Sequence, residues 1–146
     1  MRRFGLKTLF GIVALAAFGS LALRHYWLAR PPTQQVFTAR DLQNHLRDGK
    51  TVMVTIDADW ALKPPGRPRY MSAKVSQLVR ERGIVAMTAD WTTRTPEADL
   101  LMQSLQQNGA PALAIYSPED PGNPVILAPQ ADESQVLHAL ESVRER

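Results

Sequence analysis

Four short apolar runs, at residues 51–56, 84–88, 111–116 and 124–127, constrain this chain more than any other feature. Each is too short for a core helix, is rich in β-branched or aromatic residues, and is bounded by Gly, Pro, Asn or Ser, so each reads as a strand. The segments between them carry helix signals. Thr38-Ala39-Arg40-Asp41 has the spacing of a capping box in its Asp form, Leu42 and Leu46 follow at i,i+4, and Gly49 ends that helix. From near Tyr70 an apolar stripe of Val75, Leu78 and Val79 runs to Gly83. Thr95 is a predicted N-cap with Pro96 at N1 and Glu97 in the first turn; Leu101 and Leu105 face inward, and Asn108-Gly109 closes the helix. Residues 132–144 form a last amphipathic segment with Val136, Leu140 and Val143 on one side. Helices alternating with strands, then a closing hairpin, predict an α/β fold with a mixed central sheet flanked by helices.

One region breaks this rhythm. Pro64, Pro65, Gly66 and Pro68 crowd together, and proline donates no N–H to a helix and restricts the residue before it, so residues 61–68 are predicted to be loop.

The 146 residues suffice for one compact domain plus a short appendage. The net charge of +3 suggests a nucleic-acid surface until its placement is considered. Arg2, Arg3, Lys7, Arg24 and Arg30 lie in the first 30 residues, and the other 12 Lys and Arg stand against 14 Asp and Glu. The folded part is slightly acidic, which argues against nucleic acid as a partner.

After the basic start, residues 8–23 form an uncharged apolar run. Residues 4–23, at about 1.5 Å per residue, reach across about 30 Å of hydrocarbon, and Tyr26 and Trp27 suit the interfacial belt. Ser20-Leu21-Ala22 offers the small-residue spacing of a signal-peptidase site, which leaves a cleaved signal peptide as the alternative. The expected organisation is a transmembrane anchor or signal peptide over 1–29, a Pro-led linker over 30–35 and a folded domain over 36–146. Arg2, Arg3 and Lys7 hold the N-terminus on the cytoplasmic side, which places the domain at the extracytoplasmic, periplasmic face of the inner membrane as a single-pass protein.

Three motifs then stand out in order: Ala58-Asp59-Trp60 after the first apolar run, Ala89-Asp90-Trp91-Thr92-Thr93-Arg94 after the second, and Gly109-Ala110-Pro111 before the third. Together they resemble the C-terminal thioredoxin-like domain of the DsbD family of thiol:disulfide interchange proteins, over roughly residues 36–145. In that family Ala-Asp-Trp continues into Cys-X-X-Cys-Lys. Here Ala61 stands at the position of the attacking cysteine and Pro64 at that of the resolving one, and the chain has no cysteine at all. Thiol–disulfide exchange needs a sulfur nucleophile, so this chemistry is excluded. The resemblance further implies a thioredoxin-like fold, a cis bond at Ala110-Pro111, and a binding edge formed by Trp60, Ala110 and Pro111. It also implies an acid beneath the former cysteines, of which Asp57 or Asp59 is the expected remnant.

Other chemistry finds little support. Asp57 and Asp59 would need converging partners to act as an acid–base or metal site, and that non-thiol enzyme is the alternative reading. His25, His45 and His138 are far apart, with no metal-ligand spacing; no metal and no cofactor are expected. Ser72, Ser76 and Ser104 lack a nucleophile-elbow context, and there is no phosphate-binding loop. Trp60 and Trp91 are either recognition aromatics or core residues, the latter being the commoner fate. The expectation is a membrane-tethered, redox-inactive, non-enzymatic thioredoxin-like module that acts as an extracytoplasmic protein-binding or accessory subunit, with an envelope thiol-redox or cytochrome-maturation system as its candidate setting.

Overall fold

The computed structural model describes residues 32–61, 70–127 and 129–143. The expected anchor over 1–29, the first two residues of the linker, and Pro64 with its neighbouring prolines lie outside the described residues. Among the described residues no helix is long and apolar enough to cross a membrane.

Chain order is β1 (Gln35–Val36), α1 (Ala39–Arg47), β2 (Val52–Asp57), α2 (Ala73–Glu81), β3 (Val85–Asp90), α3 (Pro96–Ser104), β4 (Ala112–Tyr116), β5 (Val125–Leu127) and α4 (Glu133–Ser142). The strands form one sheet in the order β1-β3-β2-β4-β5. β1 and β2 run parallel to β3, whereas β4 is antiparallel to β2 and to β5. The sheet is therefore mixed, as the alternation of runs predicts.

Period-2 alternation along β2 sorts the core into two layers. Val52, Val54 and Ile56 meet Leu42 of α1 and Ala98, Leu101 and Met102 of α3 on one face. Met53 points to the other, with Val75 and Val79 of α2 and Val136, Ala139 and Leu140 of α4. Burial on both faces explains why the run reads as continuously apolar rather than alternating.

The helix starts follow the sequence closely. Thr38 accepts from the backbone N–H of Asp41 at 3.0 Å, and its hydroxyl donates to the Asp41 carboxylate at 2.8 Å. Thr95 caps α3 with Pro96 in its first turn. Asp132 completes a capping box with Gln135, and hydrogen bonds from the Ser134 hydroxyl and the Gln135 backbone hold its carboxyl below the usual range.

Three boundaries differ from expectation. β1 lies partly within the segment read as linker; a two-residue strand has no periodicity to detect, and Val36 is 81% exposed. It exists because β3 offers an edge: Gln35 and Val36 pair with Met87 and Thr88, and the Thr88 hydroxyl donates to the Gln34 side chain at 3.0 Å. α2 begins at Ala73 under a Ser72 cap rather than near Tyr70, because Tyr70 sits at φ +63 and cannot continue a right-handed helix. α3 ends at Ser104, with Gln106 at φ +54 taking the left-handed position expected of Gly109.

Candidate functional site

β2 and β3 run parallel and finish side by side, with Asp57 level with Asp90, so the two Ala-Asp-Trp motifs emerge at one end of the sheet. Hydrogen bonds stitch the two exits together. The Trp91 N–H donates to the Asp57 carbonyl at 2.8 Å, and the Asp59 N–H donates to the Thr92 hydroxyl at 2.9 Å. Ala61 N–H closes a turn onto the Ala58 carbonyl at 2.9 Å, and Thr92 N–H is held by the Asp90 carboxylate at 2.8 Å. β4 begins at this same end. Ala112 faces Ile56 across the antiparallel pair, so the cis Ala110-Pro111 bond comes at the level of Asp57.

The two tryptophans part company here. Trp91 is 5% exposed and belongs to the α1 and α3 core layer, whereas Trp60 is 57% exposed. Their ring centroids lie 5.9 Å apart with the planes tilted by 58°, within the range of favourable edge-to-face contacts. Trp91 is also tied on two other sides. Its indole N–H donates to the Asp99 carboxylate at 2.6 Å, and the Arg94 guanidinium carbon lies 4.6 Å from the ring centroid.

Ala61 is buried, Ala110 half-buried and Pro111 buried. Ala61 and Pro111 are thus turned inward, whereas the Trp60 ring stands out to solvent.

No family model matches the sequence, and no curated protein matches it. Solved structures do. The C-terminal domain of Neisseria meningitidis DsbD in the oxidised form matches with a TM-score of 0.56 at 21% identity, covering 77% of this chain and 100% of that one. A thioredoxin from Trypanosoma brucei brucei matches at 0.56 with 13% identity over 81% of this chain and 96% of its own. Spinach chloroplast thioredoxin F matches at 0.54 with 17% identity over 76% and 92%.

The fold is thioredoxin-like.

A chain without cysteine has no nucleophile for thiol–disulfide exchange.

The buried acid needs correction. Asp59 is exposed, and Asp57 is half-buried with its carboxylate accepting from the Ala58 N–H at 2.9 Å, so neither is the fully buried acid expected. The buried polar residue of β2 is Thr55, 4% exposed, on the Met53 face of the sheet, and its hydroxyl finds no hydrogen-bond partner. An unsatisfied buried hydroxyl costs stability, so Thr55→Val, which keeps the shape, is expected to stabilise the protein by about 1 kcal/mol in urea denaturation. A loss of stability would show that the hydroxyl is partnered.

Asp57 and Asp59 line neither of two surface clefts among the described residues. One, of about 370 Å³, includes Thr51, Arg82 and Ser117; the other, of about 260 Å³, includes Phe37, Asp90 and Glu97. No group of three or more His, Asp or Glu able to hold a metal occurs among the described residues.

Thr92 and Arg94 entered the sequence reading only as members of the second motif, with no role assigned, and Asp99 did not enter it. Asp99 reaches Trp91 across a turn and the first turn of α3, an eight-residue separation that matches no regular spacing. For Arg94 the usable hint was its place at the end of the second motif.

Proposed function

We propose that this chain is a membrane-tethered, redox-inactive thioredoxin-like module that holds an extracytoplasmic protein at the end of its sheet carrying Trp60 and the Ala110-Pro111 edge, within an envelope thiol-redox or cytochrome-maturation system. The observation that carries this reading is Trp60 itself. A large ring left 57% exposed, at the end of the sheet where the catalytic thiols of redox-active thioredoxin-like proteins belong, is well suited to anchoring a partner. An extended segment of that partner would pair with the backbone at Ala110 and pack a side chain against Trp60. The apolar run over 8–23 and the basic residues before it support the tether and its direction. Similarity of fold to a DsbD domain and to a DsbH oxidoreductase supports the redox setting.

Trp60→Ala in the full chain is expected to lower capture of the partner from membrane extracts by about tenfold or more, as loss of a central aromatic anchor does, while stability changes little. Unchanged capture would rule this surface out. Membrane fractionation tests the tether separately: a soluble mature protein lacking residues 1–22 would replace the anchor with a signal peptide.

A further inference from the structure

Arg94 is an unexpected residue for its place. Its backbone sits at φ +49, where a side chain other than Gly, Asn or Asp is disfavoured, and the residue is exposed, so burial does not explain the choice. Glycine would satisfy this turn at lower cost. What arginine adds is a guanidinium 4.6 Å from the centre of the Trp91 ring. Strained backbone kept in the presence of a cheaper residue points to a job for the side chain.

The same ring is fixed from another direction. The 2.6 Å bond from its indole N–H to the Asp99 carboxylate is charge-assisted and half-buried, and it sets the ring's rotation in its own plane. With its N–H engaged by α3 and its π-system by the 91–94 turn, Trp91 presents one defined surface to Trp60, 5.9 Å away at 58°. More than half of Trp60 faces solvent, and Trp91 is the ring it packs against among the described residues.

The geometry points to Arg94 and Asp99 as positioning residues that set the orientation of Trp60 through Trp91, so that the exposed ring is pre-organised for its partner. This rests on the reading of Trp60 as the docking residue. Holding a ring in its bound orientation beforehand reduces the ordering cost of association.

A tilted tryptophan pair at this distance gives an exciton couplet in circular dichroism, which reports the mutual orientation of the two rings independently of any partner. In the full chain, Trp60→Phe assigns the couplet to this pair. Arg94→Gly, which suits the left-handed backbone, and Asp99→Ala are each expected to reduce the couplet to less than about half, with the helical signal retained. Partner capture should fall with them. Arg94→Lys keeps a cation and Asp99→Asn keeps an acceptor, so both should restore most of the couplet. Thermal stability separates this from a purely structural role: Arg94→Gly relieves backbone strain and should not lower Tm. A couplet unchanged in both Arg94→Gly and Asp99→Ala would overturn the inference, whatever capture does. A lost couplet with capture insensitive to Trp60→Ala would keep the positioning and discard the docking surface.

Discussion

Trp91→Ala is expected to destabilise the protein by about 3–5 kcal/mol, the cost of removing a large buried aromatic from a core that collapses only partly around the gap. Trp91 is 5% exposed and packs in the same layer as Phe37, Ile56, Ala98 and Ala112. Its removal also leaves the Asp99 carboxylate without the indole donor at 2.6 Å and removes the platform on which Arg94 and Trp60 rest. For a domain of this size the loss should lower Tm by about 10 °C or more. Trp60→Ala provides the internal control: the same chemical change at a ring 57% exposed should cost about 1 kcal/mol or less. Equal costs at the two positions, measured by urea denaturation, would mean that the division into a core ring and a surface ring is wrong.

Leu113→Ala tests the sheet itself. Leu113 is fully buried in β4, with Thr55 of β2 on one side and Leu127 of β5 on the other, and it packs into the layer shared with α2 and α4. The truncation removes apolar contact and leaves a cavity walled by elements that cannot readily close on it, for an expected cost of about 2–5 kcal/mol. Leu100→Ala, at a leucine 65% exposed on α3, should stay within about 0.5 kcal/mol of the parent. A small effect at Leu113 would remove β4 from the centre of the fold, and with it the placement of Pro111 beside Asp57.

Much of this architecture was legible beforehand because its signals are local. Thr38 and Thr95 each cap the helix expected of them, since a capping oxygen serves backbone N–H groups only two or three residues away, and the last helix starts at the expected place. The runs over 51–56 and 111–116 became the two strands buried on both faces. Where the expectation slipped, the deciding contact was remote. β1 has no pattern of its own and depends on an open β3 edge 52 residues later, as the pairing of Gln35 with Met87 shows. The end of α3 moved because Gln106 tolerates a positive φ that glycine signals more loudly at 109.

The site divides in the same way. The three short motifs that the sequence singles out meet at one end of the sheet, and the absence of thiol chemistry follows from a count of zero cysteines. The roles of the two tryptophans could not be read beforehand, because Ala-Asp-Trp occurs twice with nothing local to distinguish the copies. One follows β2 into an exposed turn and the other follows β3 under α3, so packing alone made Trp91 core and Trp60 surface.

Composition and spacing were enough to establish an α/β chain with no sulfur nucleophile, because strand runs, caps and the absence of a residue type are properties of neighbours along the chain. The fate of each aromatic, the identity of Thr55 as the buried polar group, and the Arg94–Trp91–Asp99 arrangement needed the folded molecule. Burial and side-chain contact depend on which distant segments the sheet brings together, and no pattern within a few residues encodes that.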